Sequence, residues 1–153
     1  MEKKPKICLA ASAGGHLVQL LRLRRSWEGF DVFYVSTVDV VKDKLSQSGR
    51  AYIVGECNRQ HPFRIVQVLG RCLKVILTER PGVVISTGAA PGFLMCFIGR
   101  LFGAKIVWID SIANVRRLSM SGKMIRPFCS LFLTQWEELQ DTAKKIEYAG
   151  SVV

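Results

Sequence analysis

Three short runs in this sequence hold side chains that could do chemistry, and each follows an apolar stretch. The first, Ser12-Ala13-Gly14-Gly15-His16, sets two glycines and an imidazole between a strand-like run and a helix-like one. Backbone N–H groups at such a turn can face an anion, which the helix dipole also favours. The second, Ser86-Thr87-Gly88, stands in the same place after a later apolar run, with Pro91 shortly behind it to open a helix. The third, Asp110-Ser111, closes Lys105–Ile109 with a carboxylate. Two glycine loops meeting at one edge suit a diphosphate better than a single phosphate. An imidazole can take up or donate a proton, so His16 could be a base or a hydrogen-bond partner of phosphate. Asp110 stays open between a base, a group that orients His16, and a helix cap or turn residue.

Pattern removes other phosphate chemistries. The first loop is not G-x-G-x-x-G, and Val35-Ser36-Thr37 stands where a dinucleotide ribose would need an acid. No G-K-[ST] follows the glycines, so the loop is not a P-loop either. The five cysteines, Cys8, Cys57, Cys72, Cys96 and Cys129, form no C-x-x-C pair and have no histidines at zinc spacing. They read as reduced packing thiols, with no metal and no cofactor expected, and nothing ahead of Cys8 resembles a signal peptide. A net charge of +10 beside 49% hydrophobic residues argues against disorder and for attraction to a polyanion, nucleic acid or an anionic membrane surface. No nucleic-acid fold motif or aromatic stacking array is present, so nucleic acid is not an expected partner.

Something must position those runs. The length, 153 residues, suits a single domain spanning 1–153. Ile7–Ala11, Asp31–Ser36, Ala51–Val54, Val83–Ser86, Lys105–Ile109 and Leu131–Thr134 read as strands, and Gly15–Trp27, Val38–Gln47, Pro62–Thr78 and Pro91–Phe102 as helices. This rhythm predicts an α/β fold, a Rossmann-like parallel sheet with helices on both faces and ligands at the carboxyl ends of its strands. The Pro62–Thr78 helix carries Arg64, Gln67, Arg71, Lys74 and Thr78 on one narrow stripe, and is otherwise apolar. It is either a core helix with one solvated basic face or a helix whose apolar arc is too wide for the sheet and partly meets a membrane or partner. No apolar run reaches the roughly 20 residues of a bilayer span, so the expectation is a peripheral association.

The ordered set of "SAGGH", "PFRIVQVLG", "RPGVVISTGAAPG", "GAKIVWIDSIANVRRLSMSGK", "LFLTQWEEL" and "YAGSVV" resembles the membrane-bound half of the split UDP-sugar glycosyltransferases. The eukaryotic form is the anchor subunit of the N-acetylglucosaminyltransferase that extends dolichol-diphosphate-GlcNAc. The chain is similar, more distantly, to the N-terminal half of the transferase that makes lipid II. Without an N-terminal membrane helix, it resembles more closely the bacterial forms that serve capsule and exopolysaccharide assembly on undecaprenyl diphosphate.

That resemblance implies the N-terminal half of a glycosyltransferase-B fold, with a separate protein supplying the UDP-sugar-binding half and little activity in this chain alone. It implies an inverting, metal-independent transfer to a polyprenyl-diphosphate-linked sugar at the cytoplasmic face of the membrane. The acceptor diphosphate would lie at Ser12, Gly14, Gly15, Thr87, Gly88 and Ser111, with His16 beside it and Asp110 near the acceptor hydroxyl. Arg64, Val68, Arg71 and Lys74 would dock to the membrane. Arg116 and Arg117 could hold phosphate or the partner, or simply be solvated. The alternative is a noncatalytic membrane adaptor that recruits and stimulates a catalytic partner.

Overall fold

The computed structural model describes residues 3–152. Seven strands form one parallel sheet: β1 (Ile7–Ala11), β2 (Val32–Ser36), β3 (Arg50–Ile53), β4 (Val83–Gly88), β5 (Lys105–Ile109), β6 (Leu131–Thr134) and β7 (Glu147–Tyr148). Their order is β3-β2-β1-β4-β5-β6-β7, the Rossmann-like arrangement, with the reversal of strand order between β1 and β4. Strands such as Ile7–Ala11 are buried along their whole length, which is why they read as continuous apolar runs rather than alternating ones.

Helices α1 (Gly15–Arg22) and α2 (Lys42–Ser46) border one apolar cluster, built on Leu9, Leu17, Leu20, Trp27, Tyr34 and Leu45. Helices α3 (Pro62–Glu79), α4 (Ala89–Leu101) and α5 (Met120–Ile125) border the other, through Val68, Cys72, Ile76, Met95, Cys96 and Ile125. All five cysteines are unpaired thiols, and Cys8, Cys72 and Cys96 are buried.

Several boundaries depart from the sequence reading. The expected Gly15–Trp27 helix stops at Arg22 and continues as a 3₁₀ turn over Arg24–Trp27, and Val38–Gln47 divides into a turn at Asp39–Val41 and α2. Helix α4 begins at Ala89, two residues before Pro91. The proline is tolerated there because the first turn of a helix needs no amide donors for its own ladder. Strand β4 runs on to Gly88, which pairs with Ala11 after a register shift that skips Thr87. The two shortest additions, α5 and β7, carry too few residues to show a period. Val153, the last residue of the "YAGSVV" run, lies outside the described residues.

At the edge away from the glycine loops, Glu79 closes α3 and is only 7% exposed. It accepts hydrogen bonds from Lys6 Nζ (2.8 Å), Arg50 Nε (2.8 Å) and Tyr52 OH (2.5 Å). Burial alone would raise this carboxyl, but the bonds from Lys6, Tyr52 and Arg50 more than reverse it and hold it at about 2. The folded-state value lies below the ordinary one, so this stabilisation is complete above about pH 4.5 and is lost as pH falls towards 2. Because Arg50 is half in water, we expect Glu79→Gln to cost about 2 kcal/mol at pH 6. The gap from wild type should close near pH 2, as followed by urea unfolding; a gap that does not change with pH would refute this.

Candidate functional site

The two glycine loops meet at the crevice between β1 and β4, where a doubly wound sheet binds its ligands. His16, in the first turn of α1 and half-buried, joins them. Its Nδ1 lies 2.9 Å from the carbonyl oxygen of Thr87, and Thr87 Oγ1 donates to the His16 carbonyl at 2.6 Å. A carbonyl only accepts, so Nδ1 carries the proton in that bond and the neutral ring keeps its lone pair on Nε2. Gly88 makes the contact possible. At φ +132°, a Cβ on it would sit 2.8 Å from His16 Cε1 and 2.9 Å from Nδ1.

Gly14 and Gly15 are exposed, and no side chain caps the first amides of α1. Ser12 lines a cleft of about 270 Å³ with Thr37, Glu56, Asn58, Arg64 and Pro91. Ser12, Gly14, Gly15, His16, Thr87 and Gly88 thus lie on the two loops at this crevice.

Asp110 and Ser111 belong to a different network. Asp110 is 2% exposed, and its carboxylate accepts from Trp108 Nε1 (3.0 Å), Ser119 N (2.8 Å) and Ser119 Oγ (2.5 Å). Ser119 in turn caps α5, its Oγ accepting from Gly122 N. Asp110 is not itself the cap; it holds the serine that is. Orientation of His16 by Asp110, one expectation from the sequence, is corrected: the partner of Nδ1 is the Thr87 carbonyl. Ser111 is buried and accepts from Gln19 Nε2 and Ala113 N at 3.3 Å each. Gln19 Oε1 receives Ile112 N and Gln135 Nε2, and Gln135 Nε2 also reaches the Asp110 carbonyl. Arg116 and Arg117 are exposed.

Helix α3 has three faces rather than two. At 3.6 residues per turn, Val68, Cys72, Val75, Ile76 and Glu79 point to the sheet, and Arg64, Gln67, Arg71, Lys74 and Thr78 form the polar stripe. Between them runs an exposed apolar stripe of Phe63 (84%), Val66 (66%), Leu69, Leu73 and Leu77. The docking assignment of Val68 is therefore corrected, because Val68 is 2% exposed within the core. A polar-apolar pattern cannot tell which part of a wide apolar arc faces the sheet. Arg71 is tied down as well, Nη1 donating to the Val54 carbonyl at 3.2 Å. Arg64 lies at the cleft end of the helix, and Lys74 is exposed further along. No described helix is long and apolar enough to cross a membrane.

The sequence reading missed Gln19, Gln135 and Glu56. Gln19 is the only uncharged amide in an otherwise apolar "LVQLL" run, and Glu56 is the only acid between β3 and α3; both signals were available.

A family described as "Oligosaccharide biosynthesis protein Alg14 like" matches residues 40–152. A Debaryomyces hansenii protein named UDP-N-acetylglucosamine transferase subunit ALG14 is 32% identical over 96% of this chain and 76% of its own length. The Yarrowia lipolytica protein of that name is 25% identical over 97% and 82%, and the mouse one 31% over 77% and 57%. Among solved structures, Acinetobacter baumannii MurG superposes over 96% of this chain and 46% of its own, with a TM-score of 0.75 at 14% identity. A UDP-GlcNAc 2-epimerase from Methanocaldococcus jannaschii gives 0.69 over 95% and 45%, also at 14% identity. The chain thus spans under half the length of these structures and has the fold of one Rossmann-like half of a glycosyltransferase-B architecture. Its match across most of the sequence and its matched fold agree: the chain belongs to the Alg14-like family of oligosaccharide biosynthesis proteins.

Proposed function

We propose that this chain is the acceptor-binding, membrane-docking subunit of a two-component inverting glycosyltransferase, inactive until a second chain supplies the nucleotide-sugar half. The donor is UDP-N-acetylglucosamine, the sugar in the relatives' name, and the acceptor a sugar carried on a polyprenyl diphosphate at the cytoplasmic face of a membrane. The relatives described above are fungal and mammalian. They lend no support to a capsule or exopolysaccharide setting, so the proposal stops at the polyprenyl class.

One observation carries this reading: the two glycine loops are locked together through His16 and Thr87, leaving Nε2 as the acceptor of a proton at their crevice. In the mechanism, the amides of Gly14 and Gly15 at the start of α1 hold the diphosphate, while the buried Gly88 amide is already given to Ser86 Oγ. His16 Nε2 takes the proton of the acceptor hydroxyl as UDP leaves, and the Thr87 carbonyl stabilises the imidazolium so formed. Asp110 keeps the loop after β5 in shape. The α3 stripe supplies the membrane contact, with Lys74 beside it for lipid phosphate.

The test is reconstitution on vesicles containing a polyprenyl-diphosphate-linked N-acetylglucosamine, with radiolabelled UDP-N-acetylglucosamine and a UDP-sugar-binding partner chain. Elongated lipid should form only with both chains; elongation by this chain alone, or none with both, would overturn the proposal. Phe63→Ser with Val66→Ser should cut vesicle partitioning by about 10- to 100-fold, from the apolar area lost, without shifting the melting temperature. Unchanged partitioning would remove α3 from the membrane.

A further inference from the structure

The cleft beside the glycine loops contains two opposite charges that do not pair. Glu56 reaches it from the segment between β3 and α3, and Arg64 from the first turn of α3. Among the described residues the Arg64 guanidinium makes no ion pair, and the Glu56 carboxylate receives only the Thr37 hydroxyl, at 3.5 Å. Thr37 is itself buried and committed. It accepts Ala13 N from the first glycine loop at 3.0 Å, which leaves its proton for Glu56. Glu56 is thereby linked to the glycine loop, while Ser12 of that loop and Pro91 of the first turn of α4 line the same cleft.

The donor and acceptor capacities define what fits. Both side chains are exposed at the cleft. A carboxylate only accepts, so Glu56 can bond hydroxyl or amide donors; a guanidinium only donates, in a fork that matches phosphate oxygens. A ligand with hydroxyls at one end and a phosphate at the other satisfies both without the two residues moving together. At about 270 Å³ the cleft is at the small end of ligand pockets, which favours one sugar ring over a longer saccharide. We infer that Glu56 and Arg64 read the acceptor's headgroup, Glu56 bonding the hydroxyls of its terminal sugar and Arg64 the phosphate next to it. This rests on the acceptor reading above, and it moves Arg64 from the membrane surface to the ligand.

The charges give a signature that a structural role would not. A carboxylate beside a diphosphate repels it, so removing the charge helps the bare diphosphate and harms only a ligand with a sugar to hold. Binding of farnesyl diphosphate and of farnesyl-diphosphate-linked N-acetylglucosamine to the purified chain would be measured by calorimetry. Glu56→Gln should weaken the sugar-bearing probe about tenfold and leave the bare diphosphate as tight or tighter. Arg64→Ala should weaken both about tenfold, and Arg64→Lys should restore part of the loss. If Glu56→Gln weakens both probes alike, or neither, the inference is overturned while the acceptor reading stands. If the wild-type chain binds neither probe, the acceptor reading falls and the inference with it.

Discussion

Truncating Asp110 to alanine should lower the unfolding free energy by about 3 kcal/mol and the melting temperature by roughly 10 °C. Three donors converge on that carboxylate, from Trp108 and from both the amide and the hydroxyl of Ser119. Alanine leaves them buried without a partner and frees the serine that caps α5. Asparagine is not a remedy, since its NH2 group must face one of the same donors. Both variants should therefore melt early, by calorimetry or circular dichroism. An Asp110→Ala protein that melts like wild type yet transfers no sugar would return this residue to the chemistry.

The opposite profile is expected of His16. Its ring is half-buried and its one described ring bond is to a carbonyl, so His16→Ala should stay within about 1 kcal/mol of wild-type stability. The reconstituted transfer rate should fall about 100-fold or more, the usual contribution of a positioned base. Gly88→Ala should produce both effects, because the new methyl would overlap the imidazole at 2.8 Å on a backbone with φ +132°. We expect it to lose about 2 kcal/mol and most of the activity. Stimulation of the partner that survives His16→Ala undiminished would favour the noncatalytic adaptor instead.

The contrast between those residues shows what a sequence can and cannot convey. The centre of the sheet was legible because strands such as Ile7–Ala11 are buried along their length and show up as unbroken apolar runs, whereas the exposed two-residue β7 shows no such run. The glycine loops were legible too, since glycine and proline mark strand-to-helix turns directly. Asp110 and His16 looked alike, as polar residues just after strands. Only the third dimension shows one carboxylate saturated from within and one imidazole left with an open nitrogen. Glu56 went unremarked because it lies in a loop without a period, where its nearness to Arg64 depends on how α3 leaves the sheet. For Val68, the pattern gave an apolar arc, and the packing divided that arc between sheet and surface.

The Gln19–Gln135 pair has a mechanical meaning. Gln19 lies one turn beyond His16 on α1 and is gripped from Ser111, Ile112 and Gln135, while the other end of the Gln135 amide receives Val152 N at 2.9 Å. That grip ties α1 to the turns that follow β5 and β6. Through Gln135, Val152 is joined by hydrogen bonds to the helix that carries His16, so the last described residue and the proposed base belong to one bonded relay.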